Sequence, residues 1–428
     1  MHEIKIDHMA KIYGHASLEV RIRGNKVRKA QLNVFESSRF FESLVSGKRF
    51  DEARRITSRI CGICAASHNI TSIMAVENAL GIRPERQVEL LREALILGGW
   101  IQSHALHTYF LALPDYLGYG SILDMADRRP EDVERGFRLK KLGNDIIEAI
   151  GGRPTHPITT DAGYFTRVPE KEGLALLLKS LRSGLRDAVK TARLFSSFRK
   201  PEFERERPMG SLADNKTYAI LSGSPAIGGR QMENSDFTEN VIPEKRPYST
   251  SKFLTFKGGE YMVGPLARLN ANSRYLMDEA KSLLKRCGPK LPDCNPFSSN
   301  MARAIETVHC IEKCCRAIRE IRPDGAARPS LDFKKTGGGA RRGCAITEAP
   351  RGMLYHEYTL DSRGFIISSN IITPTAQNLN PMECDVKAFL PSVLGRPKKT
   401  VILELEKLIR SYDPCISCAA HFLDVKFR

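Results

Sequence analysis

Two cysteine pairs lie near opposite ends of the chain, and each is followed by a histidine. They are Arg59-Ile60-Cys61-Gly62-Ile63-Cys64-Ala65-Ala66-Ser67-His68 and Asp413-Pro414-Cys415-Ile416-Ser417-Cys418-Ala419-Ala420-His421. One turn of backbone lets both sulfurs of a C-x-x-C pair face the same ion, so two pairs supply the donors of a tetrathiolate metal site. A zinc ribbon spaces its pairs roughly 15–20 residues apart. Here most of the chain intervenes, so the fold must carry both ends to one metal. Zinc or an iron–sulfur cluster in a scaffold protein would use the same donors.

With their flanks, the pairs resemble the two signatures of the nickel–iron hydrogenase large subunit, R-I-C-G-x-C-x-x-x-H and D-P-C-x-x-C-x-x-H, matched without a gap. Other blocks extend the resemblance over essentially the whole chain. They include Leu97-Gly98-Gly99 through Ser103-His104-Ala105-Leu106-His107 to Leu113-Pro114-Asp115-Tyr116, then Gly151–Pro157, Val263–Arg268, Glu348–Gly352 and Ile372–Thr375. Their style is similar to the cytoplasmic, multimeric branch that is NAD(P)-linked or sulfhydrogenase-like. The implied fold is mainly α with small β elements (α+β), a central helical bundle and both chain ends at the metal. One integrated body is expected over residues 1–428, with no independent domains. Along it come a hairpin and the first motif (1–68), a helical core (69–200), an irregular and helical region (201–345), the second motif (346–421) and an extension (422–428).

The resemblance also implies roles. All four thiolates would bind nickel, with Cys61 and Cys415 terminal and Cys64 and Cys418 bridging to an iron that carries cyanide and carbon monoxide. A terminal thiolate such as Cys415 can accept a proton as hydrogen splits. His68 would donate to a bridging sulfur, as groups that tune metal ligands do; the bland alternative is a polar residue satisfied at a helix start. Arg351 would overhang the vacant metal position, oriented by Asp115 and Asp413 through carboxylate–guanidinium pairing. Asp115 could equally cap a turn. Pro350, Pro374 and Thr375 would lie by the diatomic ligands, the threonine hydroxyl donating to a cyanide nitrogen. Glu42 and His421 would hold a magnesium ion, although a lone glutamate on an amphipathic helix is usually just exposed. His104, His107 and His156 read as packing histidines. One departure stands out. Where the family places R-[IV]-E-G, this chain has Lys11-Ile12-Tyr13-Gly14, so a phenol replaces the carboxylate that would take protons from a terminal cysteine. A phenol titrates near 10 and a glutamate near 4, which puts that proton exit in doubt.

Nothing in the chain can pass electrons onward. It has no ferredoxin-type cysteine run and no G-x-G-x-x-G fingerprint. The expected partners are therefore an iron–sulfur small subunit and flavin- and NAD(P)-binding reductase subunits, which would hold the clusters and the flavin. A maturation protease would remove Phe422–Arg428 after nickel insertion. The competing function is a non-catalytic relative, a hydrogen sensor or a metal-assembled structural subunit, for which Tyr13 is the main support.

The elements that must position these residues are legible in outline. Ser17–Arg23 and Lys26–Phe35 read as a hairpin. Helical spacing marks Asn69–Leu80, Glu85–Leu113 (ended by Pro114), Pro130–Ile150, Glu170–Phe198, Ser273–Arg286, Asn300–Glu320 and Lys399–Ser411. Pro201–Thr250 reads as irregular with short strands and Pro323–Gly343 as a loop, followed by a strand pair at Met353–Leu360 and Phe365–Ile372.

The chain has 428 residues and a formal charge of +17. No basic segment is interleaved with spaced aromatics, so nucleic acid is not expected, and a basic surface with an acidic partner over part of it fits better. Eleven cysteines form no even framework, which fits a reducing, cytoplasmic compartment. No signal peptide is visible, and no run approaches the roughly 18 apolar residues of a membrane span.

Overall fold

The computed structural model describes residues 2–24, 26–37, 39–323 and 339–420. Strands β1 (His2–Ile6), β2 (Ala16–Arg23) and β3 (Lys26–Val34) form an antiparallel sheet in that order. The expected hairpin is its second half. Alternation along β2 and β3 buries Leu18, Val20, Ala30 and Leu32 on one face, as period-two side chains require.

The first motif leads into α1 (Ala65–Leu80), which starts four residues before the expected Asn69. A four-helix core follows, from α2 (Arg86–Ala105), α3 (Pro130–Gly151), α4 (Lys171–Ser196) and α5 (Ser299–Glu320). Leu91, Leu95 and Trp100 of α2 pack with Leu139 and Ile146 of α3, Leu181 of α4 and Ile305 and Val308 of α5. Pro114 does not end the long helix, contrary to its sequence reading. A π-helical stretch, Leu106–Ala112, intervenes, and Pro114 falls in the first turn of a short helix, Leu113–Leu117. Its fixed φ suits the helix, which runs on through the change from π to α pairing. The helix stops at Gly118, whose φ is 77°.

A second antiparallel sheet orders β4 (Arg341–Ala349), β5 (Gly352–Leu360) and β6 (Ile366–Ile372). The expected strand pair is β5–β6; the expected loop, Pro323–Gly343, overlaps only the first three residues of β4, the rest of which the sequence reading leaves unassigned, and residues 324–338 of that loop lie outside the described residues. Helix α1 lies directly on this sheet. Gly343 permits it: a Cβ there would stand 2.2 Å from Ala79 N and 2.4 Å from Ala75 O. Helices α6 (Pro374–Phe389), absent from the sequence reading, and α7 (Lys398–Ser411) then deliver the second motif. No described helix is long and apolar enough to cross a membrane.

Candidate metal centre

Each cysteine pair brackets a backbone turn, and the two turns face each other. Cys61 follows a 3-10 turn, Ser58–Ile60, and Cys64 is the residue before α1; Cys415 precedes the short helix Ile416–Ala419 that contains Cys418. Cys61 Sγ stands 3.6 Å from Cys415 Sγ, Cys64 Sγ 3.7 Å from Cys418 Sγ, and Cys415 Sγ 2.7 Å from Cys418 Sγ. With metal–sulfur bonds near 2.3 Å, sulfurs around one ion stand up to roughly 4 Å apart. The two separations between the motifs fit that geometry, while Cys415 and Cys418 stand closer together than it requires. All four side chains are buried.

The thiols do not ionise together without a cation. Hydrogen bonds from Cys415, Cys418 and Cys64 hold Cys61 well below its ordinary value. Burial pushes Cys418 well up. A hydrogen bond with Cys418 favours the thiolates of Cys64 and Cys415, but Cys61 and burial outweigh it, and both rise. Four buried thiolates therefore need a soft cation, which these donors suit.

The two ends are stitched by backbone. Tyr13 N donates to Pro414 O at 3.3 Å, and Ile416 N donates to Tyr13 O at 2.7 Å. Arg39 Nη2 donates to Ile60 O and to Ser417 O, one carbonyl from each motif. Gly14, at φ 88°, lets the N-terminal segment pass: a Cβ would meet Glu36 Oε2 at 2.1 Å and Ser417 N at 2.9 Å.

Arg351 sits at the turn between β4 and β5. Its Nε donates to Asp413 O at 2.7 Å and its Nη2 to Asp413 Oδ1 at 3.0 Å. Asp413 has φ 55° and is 1% exposed. Burial would raise its pKa, but Arg351, His107 and Arg303 hold the carboxyl below its usual range. Asp115 does something else. Its two oxygens take Lys11 and Arg410, so it anchors the N-terminal segment to the end of α7. Lys11 and Arg410 are the partners the sequence reading missed.

His68, Arg351, Pro374 and Thr375 line one small pocket with Cys64, Cys415 and Cys418. Ala349, the last residue of β4, lines it beside Arg351; Pro350 between them does not, and its carbonyl accepts from Arg268 Nη2 at 2.8 Å. Thr375 Oγ1 accepts from Cys415 N at 3.0 Å, which leaves its hydroxyl hydrogen for the pocket. Burial lowers His68 to about 4, so the ring is neutral. Tyr13 packs its ring 4.7 Å from Arg351 Cζ, and its buried hydroxyl has no hydrogen-bond partner among the described residues.

Glu42, on the short helix Phe41–Val45, accepts from Ile371 N at 2.9 Å, and burial raises its pKa. His421 lies outside the described residues. His104 pairs with Glu306 at 3.0 Å, and His156 Nδ1 meets Ser58 O at 3.0 Å beside the first motif. His107, read as packing, reaches Asp413 Oδ1 at 3.0 Å and Asn300 Oδ1 at 3.0 Å. Its place eight residues before Asp115 in the helical block was the available signal.

Beside known proteins, this architecture is not isolated. The sequence pattern of the family described as nickel-dependent hydrogenase matches residues 39–141 and 213–421. Sulfhydrogenase 1 subunit alpha of Pyrococcus furiosus is 34% identical over 422 residues, covering 98% of this chain and 97% of that one. The NAD-reducing hydrogenase HoxS subunit beta of Cupriavidus necator is 26% identical, over 98% of this chain and 95% of that one. A crystal structure of an NAD+-reducing [NiFe]-hydrogenase in the H2-reduced state superposes with a TM-score of 0.87 at 25% identity, covering 98% of this chain and all of that one. Two distant cysteine pairs converging at a buried centre, on this fold and in this sequence family, leave one assignment: the chain belongs to the nickel-dependent hydrogenases, as a large, catalytic subunit that oxidises H2 at a nickel–iron centre.

Proposed function

We propose that this large subunit interconverts H2 with protons and electrons reversibly, and that an iron–sulfur small subunit carries the electrons to flavin- and NAD(P)-binding subunits. The observation behind the reading is the convergence of four buried sulfurs from both chain ends beside Arg351. Cys61 and Cys415 would hold the nickel, and Cys64 and Cys418 would hold it together with an iron that would carry cyanide and carbon monoxide. When bound, that centre supplies the electron-pair chemistry of H2 cleavage. The chain's own residues do the rest. Asp413 holds the Arg351 fork over the pocket through two hydrogen bonds. Thr375 offers its hydroxyl hydrogen, Pro374 closes the wall against water, and the Cys415 sulfur holds a proton. Glu42, with one oxygen engaged by Ile371 N, is offered to magnesium together with His421.

Names of relatives support the carrier: sulfhydrogenase and NAD-reducing hydrogenase. The partner surface is supported by exposed apolar side chains beside the motifs. Phe40 precedes the short helix and Leu44 lies on it, and Phe365 and Ile367 lie at the start of β6, which pairs with that segment through Gly47 N to Ile366 O at 2.8 Å. Such a patch on one face marks a docking site. Eleven free cysteines support a cytoplasmic, reducing setting. Ile416 to Tyr13 pairing supports one integrated body over 1–428. Removal of 422–428 by a maturation protease completes the reading. Nickel and iron in equal amounts with infrared bands from iron-bound cyanide and carbon monoxide are expected in the purified complex. Hydrogen-dependent dye reduction separates the enzyme from a sensor, which would hold the same metals and turn over little.

A further inference from the structure

His68 lines the metal pocket, and behind it runs a buried line of side chains. His68 Nδ1 stands 3.0 Å from His356 Nε2. His356 Nδ1 stands 2.9 Å from Tyr358 Oη, and Tyr358 Oη 2.9 Å from Ser72 Oγ. None of the four residues is more than 1% exposed.

Two backbone periods produce this line. His68 and Ser72 are four apart on α1, hence on one face and about 6 Å apart along the axis. His356 and Tyr358 are two apart on β5, hence on one face and about 6.7 Å apart along the strand. The steps nearly match, so a helix lying on the sheet meets the strand twice. Gly343, paired with Tyr358 across the sheet, allows α1 to come that close. Tyr355 points to the other face and stacks on Phe237.

We propose that His356 is a positioning residue for the metal pocket, holding the ring of His68 and selecting its tautomer through the chain His68–His356–Tyr358–Ser72. The inference rests on reading that pocket as the nickel–iron site. An imidazole with a single N–H must either donate to or accept from each neighbour, so at the His68–His356 contact one ring donates and the other accepts, and the tautomer of His356 sets that of His68. Tyr358, whose oxygen can accept as well as donate, biases His356 according to which it does. Running inward, Ser72 donates to Tyr358, Tyr358 to His356 Nδ1, and His356 Nε2–H to His68 Nδ1. His68 then carries its own hydrogen on Nε2 and is a donor for the pocket that Cys64 and Cys418 share. Thiolate sulfur accepts, so it favours this direction over the reverse. Packing alone gives no reason for the line. Buried polar groups cost free energy that an apolar pair at the same helix–sheet contact would avoid.

The test uses the assembled, metal-loaded complex with His356→Leu, His356→Gln and Tyr358→Phe. His356→Leu is expected to keep nickel and iron, shift the infrared bands of the iron-bound diatomics and lower kcat about 10- to 100-fold, the usual cost of losing such a support, with a smaller effect on KM. His356→Gln retains an N–H donor and is expected to restore the bands and most of kcat. Tyr358→Phe leaves the His68–His356 contact in place and should shift the bands less, in the same direction. Unchanged bands in His356→Leu overturn the proposal, as does a glutamine variant no better than leucine, which would mean that ring volume alone matters. If His356→Leu assembles no cluster, Tyr358→Phe decides: shifted bands support the line, unshifted bands refute it. Absence of diatomic bands from the unsubstituted protein would instead fail the nickel–iron reading and this inference with it.

Discussion

Tyr13 puts an aromatic face where the resemblance leads one to expect a carboxylate, and its surroundings define what that face can do. Burial pushes its hydroxyl well above its ordinary value, with Asp413 adding to the shift. At neutral pH it is a protonated phenol, which can accept a proton only by giving up its own. Its ring, however, lies under the Arg351 guanidinium. Tyr13→Phe keeps that face and should retain H2 turnover within about threefold, whereas Tyr13→Leu loses a cation–π contact of about 1 kcal/mol and should lower it further. Hydrogen-dependent dye reduction checks both; loss of turnover in Tyr13→Phe would place the hydroxyl in the proton route. Arg351→Lys keeps the charge but not the fork that Asp413 grips. It is expected to keep nickel and lose turnover by orders of magnitude. Cys61→Ala or Cys418→Ala should lose the metal itself, because three thiolates leave the cluster open; metal analysis with near-normal nickel and activity would contradict the ligand set.

Between elements, buried charge does the fastening. Asp115 holds Lys11 and Arg410 together, with Asp115 and Arg410 almost fully buried. Asp115→Asn leaves Lys11 without its counter-charge and Arg410 with Glu406 alone, at a cost of about 3 kcal/mol. The expected result is a lower unfolding temperature and poor metal loading, with normal turnover per nickel in whatever fraction assembles. A selective fall in turnover per nickel would restore Asp115 to a role at Arg351. Gly343 is the other fastening point. Gly343→Ala drives a methyl into the α1 backbone and should destabilise by about 1–3 kcal/mol through overpacking. Its infrared bands should move in the same sense as those of His356→Leu, since the shared contact is displaced.

Over the whole molecule, buried histidines give acid sensitivity. Burial lowers His104 to about 4, against the pull of Glu306, and burial with Lys313 lowers His309 to about 3. The unfolded chain binds these protons near pH 6.5. Both groups are depressed, so their contribution is fully present above pH 6.5 and declines as pH falls toward 4 and 3. Denaturant unfolding across this range should show falling stability, with a shallower slope in His309→Gln. An unchanged slope would show that His309 titrates alike in both states.

What the sequence determined by itself was chemistry that travels in short words and structure that repeats at a local period. Cys61, Cys64, Cys415 and Cys418 announce a soft-metal site through spacing alone, and α3 and α5 were readable from three- and four-residue apolar steps within one residue at each end. Where a residue's partner is distant, sequence fails. Asp115 reads the same beside Arg351 or between Lys11 and Arg410, because 295 positions separate it from Arg410 and the choice is made by how α7 docks. Pro114 reads as a stop because a π-helical stretch, which depends on packing rather than propensity, cannot be seen in residue type. His356 carried no motif of its own. Only the laying of a helix on a strand, with matching four-residue and two-residue steps, sets it behind His68. Tertiary structure decided those pairings because burial makes a charge or an N–H seek whichever complement the fold brings within reach.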